Sequence, residues 1–380
     1  MIYLDSGATT LEKPPAVARA MAQAVGEMSS PGRGNYPASQ KAARTAYDCR
    51  EAAAELFHVP APEQVIFTCN ATHGLNIAIR TLVRPGCRVA VSGYEHNAVT
   101  RVLHSIPGVE IMVADAPLFR PEQTLEGFRT ALRRGVDAVI CNHVSNVFGC
   151  VQPVEELAGL CRRTHTPLIV DASQSAGILP VLLADWGAAF VAMPGHKGLY
   201  GPQGTGLLLC GAEASPLLYG GTGSASRRQT MPIDLPDRLE AGTHNMPGIA
   251  GLLEGLRFVS HAGVERIVQW ERRLTRRAEE GLARLPGVEV FADKTGQGQT
   301  GVLSFCVKGM DCEQVGEELA RRQIAVRAGL HCAPLAHRTA GTLESGTIRI
   351  SPSVFNTEGQ INFFLREMRE ILRENTKKSV

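Results

Sequence analysis

Pro167-Leu168-Ile169-Val170-Asp171-Ala172-Ser173-Gln174, followed by Phe190-Val191-Ala192-Met193-Pro194-Gly195-His196-Lys197-Gly198, is the stretch on which the fold turns. Each half is a short apolar run that ends abruptly in polar residues. Continuous apolar character suits a strand covered on both faces. The same unit recurs at residues 65–68, 88–92, 109–113, 138–141 and 206–209. Helical patterns fill the intervals at 39–57, 74–82, 125–134 and 155–163; Pro37 opens the first, which is rich in alanine. This alternation predicts an α/β fold, with a mostly parallel seven-stranded sheet flanked by helices.

The pattern changes beyond Gly242. Residues 247–284 read as helical with a break near Gly263. Strands at 288–291 and 302–307, a helix at 312–322, strands at 324–328 and 347–350, and a last helix from Glu358 follow. Two units are expected: a large α/β domain over 15–245, and a small α+β domain made of 1–14 and 246–380. Arg266, Arg272, Arg273, Arg276 and Arg277 are interleaved with Glu265, Glu271, Glu279 and Glu280, which reads as a solvated helix face. Residues 376–380 are polar and are expected to fray.

With 39 basic and 37 acidic groups the net charge is +2, which makes no electrostatic case for nucleic acid or an anionic membrane as partner. Hydrophobic residues at 44% with 20% charged exclude disordered and fibrous classes. No apolar run approaches the roughly 20 residues that span a bilayer, and Met1-Ile2-Tyr3-Leu4-Asp5 does not read as a signal peptide. Ten cysteines without regular spacing point to reduced thiols in the cytoplasm. Cys141, Cys150 and Cys161 do not match zinc pairs, and His331, Cys332 and His337 lack a fourth ligand, so no metal is expected.

In an open α/β sheet, ligands bind beyond the carboxyl ends of the strands. There the sequence delivers Asn70-Ala71-Thr72-His73-Gly74, His96, Asn142-His143-Val144-Ser145-Asn146, Asp171 with Gln174, and His196-Lys197. A lysine and an aspartate on neighbouring strand ends are what pyridoxal phosphate requires: an amine for the Schiff base and a carboxylate for the pyridine nitrogen. The turn at 70–74 opens a helix, whose free N–H groups suit a phosphate.

These residues, with Tyr3-Leu4-Asp5-Ser6-Gly7-Ala8-Thr9-Thr10, Gly195-His196-Lys197-Gly198-Leu199-Tyr200-Gly201-Pro202, Glu240-Ala241-Gly242-Thr243 and Val326-Arg327-Ala328-Gly329-Leu330-His331-Cys332-Ala333-Pro334, resemble the class V aminotransferase-like cysteine desulfurases, fold-type I pyridoxal-phosphate enzymes. The resemblance runs nearly end to end. It implies that Lys197 carries the cofactor and moves protons, and that Asp171 pairs with the ring nitrogen. Gln174 would bond the ring hydroxyl, and His96 would stack on the ring and serve as acid or base. Ala71, Thr72 and His196 would hold the phosphate, with Thr243 reaching the phosphate of the other subunit of a homodimer. Asn146, Arg327 and Arg349 would meet the substrate, an Arg fork suiting its carboxylate.

Cys332 would be the nucleophile. A nearby thiolate can take the sulfur of a bound cysteine as a persulfide, leaving L-alanine. His331 and His337 are the nearest candidate bases in sequence. The runner-up readings are a selenocysteine lyase or another β-elimination or transamination, and then a non-catalytic sulfur- or metal-carrying partner. Arg349 lies seventeen positions after Cys332, which resembles the branch with a short ordered cysteine loop (SufS-like enzymes and selenocysteine lyases). Such a loop calls for a sulfur-acceptor protein that comes to the site. The sequence departs from the family pattern in two places. Pro194 stands where many relatives carry a hydroxyl for the phosphate, which 221–224 would have to replace. Tyr36, in Gly32-Arg33-Gly34-Asn35-Tyr36, stands where many carry histidine.

Overall fold

The structure, a computed structural model, describes residues 1–32 and 34–378. The strands are β1 Ile2–Tyr3, β2 Val65–Thr68, β3 Arg88–Ser92, β4 Glu110–Ala114, β5 Ala138–Asn142, β6 Leu168–Asp171, β7 Phe190–Pro194, β8 Gly206–Cys210, β9 Val288–Phe291, β10 Leu303–Val307, β11 Ile324–Ala325, β12 Arg327–Gly329 and β13 Thr347–Ile350. The helices are α1 Pro15–Glu27, α2 Pro37–Leu56, α3 Ala71–Leu82, α4 Asn97–His104, α5 Pro121–Arg133, α6 Val154–Thr164, α7 Leu183–Trp186, α8 Met246–Ala262, α9 Val264–Leu282, α10 Cys312–Arg321, α11 Pro334–Ala340 and α12 Glu358–Lys378.

Among the described residues, seven strands form one sheet in the order β2-β8-β7-β6-β5-β3-β4, in which only β8 runs against the others. Alternation along each strand divides its side chains between two cores. Val139 and Cys141 of β5 join the core that includes α2, α6 and α8, while Ala138 and Ile140 join the one built with α3 and α4. Both faces are covered, so the strands read as unbroken apolar runs.

A third core joins Leu4, Leu274 of α9, Phe305 of β10, Ile350 of β13 and Phe364 of α12. It lies against an antiparallel sheet of order β12-β13-β10-β9. The expected single strand at 324–328 is two: β11 pairs with β1, and β12 with β13. Met246, Ile249, Leu252, Leu253 and Leu256 of α8 bury in the core of the large sheet, Val259 packs with Ile267 and Val268 of α9, and Leu274, Ala278 and Leu282 of α9 join the third core.

Other differences have local causes. α3 begins at Ala71, because Asn70 Oδ1 accepts the His73 N–H at 2.9 Å and caps the helix. α1 and α11 were not expected; both open on proline at the first helical position, where a missing N–H is harmless. Glu271 is buried rather than solvated, because it falls on the apolar stripe of α9 with Ile267, Leu274 and Ala278. Arg272 donates to the carbonyls of Gln297 and Gln299, and Arg273 pairs with Glu358, so part of the basic face ties α9 to its neighbours. α12 is helical through Lys378, where fraying was expected; residues 379–380 lie outside the described residues.

Candidate active site

Because β2, β3, β5, β6 and β7 run the same way, their carboxyl ends share one edge of the sheet. A pocket of about 110 Å³ lies there, and Ala71, Thr72, His96, Asn146, Asp171, Gln174, His196 and Lys197 all line it. Every residue expected to touch the cofactor is thus in one place, apart from Thr243. Thr243 is exposed and lines a separate pocket with Cys69, His73 and Leu218.

Lys197 has its amine pushed down to about 8 by burial, against the pull of Asp171, with Arg349 adding to the depression. Asp171 is 4% exposed, and its Oδ1 accepts the Ser173 N–H at 2.9 Å. His96 caps α4, its Nδ1 accepting the Ala98 N–H at 3.0 Å. That bond leaves the proton of a neutral ring on Nε2. Burial holds His96 below the usual histidine value, against the opposing pull of Asp171.

At the other end of the pocket, α3 points its first turn inward. Gly206 of β8 lets this turn sit close: a Cβ there would lie 2.8 Å from Asn70 C and from Thr68 Oγ1. His196 is pushed down to about 4 by burial and by Lys197 and Lys13, so it is neutral, and its buried Nδ1 has no partner. Pro194 lines the pocket and brings neither hydroxyl nor N–H. Within the chain, Thr222, Gly223 and Ser224 line a different surface pocket. Tyr36 stands at the N-terminal boundary of α2 without a side-chain capping bond, half-exposed, with its hydroxyl 3.0 Å from Ser29 Oγ; Arg33 lies outside the described residues.

Gln174 Nε2 donates to Gly7 O at 2.9 Å, drawing the N-terminal segment over the pocket. Asp5, two residues beyond β1, accepts from both arginines: Arg349 Nη2 at 2.8 Å and Arg327 Nε at 3.1 Å. Arg349, 2% exposed, also donates from Nη1 to Asn146 O at 2.8 Å.

Cys332 is exposed in a tight loop, as the glycines and proline around it imply. His331 and Cys332 both have left-handed backbones, with φ of 49° and 55°. Such residues cost on the order of 1 kcal/mol or more each and persist only where contacts enforce them. Here the contacts come from the large sheet. Asn97 N donates to Cys332 O, Asn146 Nδ2 to His331 O, and Thr339 Oγ1 to Gly93 O, each at 2.8 Å. Ala333 and Ala336 pack with Tyr94 and Phe148 beneath. The loop is therefore fastened to the helix that His96 caps. Neither candidate histidine engages the thiol: His331 Nε2 meets Thr347, His337 Nδ1 meets Thr342, and the two rings stack on each other. Burial pushes both well below the usual histidine range.

The other nine cysteines are free as well. Burial pushes Cys49, Cys161 and Cys210 up to about 12, and Cys150 and Cys306 up to about 11, which makes them inert. Asp5 and Glu95 carry no role in the sequence pattern, and Glu271 reads there as part of a solvated face. The only signal for Asp5 was its place in the 3–10 segment, and for Glu95 its place directly before His96.

An α/β chain with a lysine and an aspartate at one sheet edge defines a class, and comparison with known proteins places it. The family model for aminotransferase class-V matches residues 2–364. A probable cysteine desulfurase of Methanothermobacter thermautotrophicus is 32% identical over 97% of this chain and 94% of its own length. One from Mycolicibacterium paratuberculosis is also 32% identical, and this chain spans 55% of it. Among solved structures, the apo cysteine desulfurase from Thermococcus onnurineus NA1 superposes with a TM-score of 0.90 at 30% identity, over 98% of this chain and 95% of that one. The cysteine desulfurase CsdA from Escherichia coli superposes with 0.85 at 26%, over 98% and 94%. The chain belongs to the class-V aminotransferase family, with the fold of the fold-type I pyridoxal-phosphate enzymes, and the relatives it matches are cysteine desulfurases.

Proposed function

We propose that this protein is a pyridoxal-phosphate-dependent cysteine desulfurase that converts L-cysteine to L-alanine and takes the sulfur onto Cys332 as a persulfide. The observation that carries this reading is the fastening of the exposed Cys332 loop to the pocket that holds Lys197 and Asp171. The pocket fits the cofactor. The first N–H groups of α3 and the orphaned His196 Nδ1 suit a phosphate, and Asp171 suits a protonated ring nitrogen. When bound, pyridoxal phosphate supplies an electron sink that weakens the Cα–H and Cβ–S bonds of an amino acid.

The protein's own groups do the rest. Ala71, Thr72 and His196 would hold the phosphate, and Asp171 and Gln174 would orient the ring. His96 would lie against the ring, with its Nε2 proton available for transfer. Lys197 Nζ, whose pKa burial pushes down to about 8, gives up its charge more readily than an exposed lysine and receives the α-proton. Arg349, held by Asp5 and Asn146 O, receives the substrate carboxylate, with Arg327 and Asn146 beside it. The Cβ–S bond breaks as an S–S bond forms on Cys332 Sγ, so one thiol and L-cysteine become one persulfide and L-alanine.

The reading extends to a homodimer in which Thr243 completes the phosphate site of a second copy. Leu218, Tyr219 and Ile233, all exposed on the same segment of the chain, suit burial against that copy. A fastened Cys332 loop suits an acceptor protein that docks to collect the sulfur. Ten free thiols suit the cytoplasm, and no helix among the described residues is long and apolar enough to cross a membrane.

Protein incubated with pyridoxal 5'-phosphate is expected to gain a visible absorbance that Lys197→Ala abolishes. With L-cysteine it is expected to release alanine and to leave Cys332 one sulfur heavier by mass spectrometry. Full alanine formation from L-cysteine by Cys332→Ala would overturn the persulfide step. Turnover of L-selenocysteine alone would point to the lyase.

A further inference from the structure

Glu95 lies between the exit of β3 and the cap of α4, fully enclosed and away from the pocket wall. Its Oε1 accepts the Asn142 N–H at 2.8 Å and lies 2.5 Å from Ser92 Oγ; its Oε2 is buried without a partner. Ser92 Oγ also lies 2.8 Å from Asn142 Oδ1 and accepts the Tyr94 N–H at 3.2 Å. The Asn142 amide is held in one orientation, because its Nδ2 faces the carbonyls of Tyr94 at 2.8 Å and Val144 at 3.5 Å.

Ser92 Oγ therefore stands between two oxygens, and each contact needs a proton. A serine hydroxyl supplies one proton and two lone pairs. With its proton on the bond to Asn142 Oδ1, the second must come from the carboxyl. The hydroxyl is then satisfied: it donates to Asn142 and accepts from Tyr94 N–H and from Glu95.

We propose that Glu95 is a positioning residue that keeps its proton at neutral pH, joins the exit of β3 to the end of β5, and leaves Asp171 as the ionised carboxyl of the pocket. This rests on the reading of Asp171 as the partner of the ring nitrogen. Asn142 and Asp171 are paired in register on β5 and β6, so a shift in one strand end is felt at the other. The groups facing Glu95 are Ser92 and Tyr94 from the β3 exit, Cys141 and Asn142 from β5, and Asp171 from β6. Burial is the main cause that pushes its carboxyl up to about 8, and the negative charge of Asp171 adds to it. Cys141, pushed well above the usual thiol range by burial, is uncharged. The charge of Asp171 reaches Glu95, so a proton on Glu95 spares this enclosed strand edge a second buried negative charge.

Infrared difference spectra of the holoprotein against Glu95→Gln test the proton directly. A protonated-carboxyl C=O band is expected at neutral pH, shifting in deuterium oxide and vanishing as pH rises through about 8. Its absence at neutral pH would overturn the proposal. Should Glu95→Gln fail to fold, Ser92→Ala removes the acceptor of that proton and should move the band to higher frequency; an unmoved band overturns the proposal equally. In the cofactor arm, the visible absorbance of bound pyridoxal phosphate is expected to change over the same pH range in wild type, with that component missing in Glu95→Gln. Identical titrations would overturn the link to Asp171. Protein that binds no pyridoxal phosphate would sink the reading of the pocket, while the carboxyl band still decides the state of Glu95.

Discussion

Asp5 and Arg349, 344 residues apart, meet through a 2.8 Å hydrogen bond from Nη2 to Oδ1 in a place where Arg349 is 2% exposed. The other oxygen of Asp5 takes Arg327 Nε. The N-terminal segment therefore belongs to the site, and it orients the two arginines from the small unit. A guanidinium has five N–H groups. Two of those on Arg349 are committed, to Asp5 and to Asn146 O, so the fork keeps donors for a substrate carboxylate.

Asp5→Asn keeps the shape and removes the charge. Breaking one side of a buried pair costs about 3–5 kcal/mol; one oxygen acceptor survives here, so the lower end is expected, read by urea denaturation. Arg349 loses its orientation, so KM for L-cysteine should rise by roughly tenfold, about 1.4 kcal/mol, with a smaller change in kcat. An unchanged KM would detach Asp5 from substrate binding.

Glu240 holds the turn that carries Thr243. It pairs with Arg50 Nη2 at 2.6 Å, accepts the Phe67 N–H at 2.6 Å and meets His244 Nε2 at 2.6 Å, and Arg50 lies over the Phe67 ring. Arg50 and the hydrogen bonds hold its carboxyl below the usual range in spite of burial, which alone would raise it. Glu240→Gln is expected to cost about 3 kcal/mol by leaving Arg50 buried with a neutral partner. If the turn completes a neighbouring phosphate site, the dissociation constant for pyridoxal 5'-phosphate should rise along with it. Both are readable by fluorescence titration and melting of the same variant.

The sheet and the pocket were legible for one physical reason. A strand buried on both faces must be apolar throughout, so its end is marked by the first polar residue, and in a parallel sheet those ends share an edge. Asp171, Lys197, His96 and Asn146 all announce themselves in this way. Asp5, Glu95 and Glu271 did not. Each is a carboxyl whose importance comes from being enclosed, and enclosure depends on groups distant in sequence: Arg349 for Asp5, Asn142 for Glu95, the close approach of Gly301 for Glu271. The partners of α8 were hidden for a related reason, since its apolar residues are compatible with either core until the chain folds.

Glu271 should make stability fall with pH. It is buried, and burial pushes its carboxyl up to about 8 from 4.5. The unfolded chain releases this proton near the ordinary value, while the native protein keeps it until about 8. Across that window the native state binds more protons, so stability falls as pH rises and levels off above about 8. Glu271→Gln is expected to flatten this decline, by a few kcal/mol at most at the top of the window. Urea midpoints measured between mildly acidic and mildly alkaline pH would show it, and parallel curves for the two proteins would contradict it.

Gly206 offers a test of the phosphate end that touches no titratable group. Its strand pairs with both β2 and β7, opposite Thr68 and Pro194. A methyl group there would meet the backbone of Asn70 at 2.8–2.9 Å and Thr68 Oγ1 at 2.8 Å, and backbone cannot swing aside as a side chain can. Gly206→Ala is therefore expected to push the Asn70 cap and the first turn of α3 outward. Overpacking of this kind costs about 1–3 kcal/mol. The displaced N–H groups of Ala71 and Thr72 should weaken the hold on the phosphate by at least tenfold, about 1.4 kcal/mol. Pyridoxal, which lacks the phosphate, should bind wild type and variant alike, and equal losses for both ligands would show that the substitution had merely disordered the pocket.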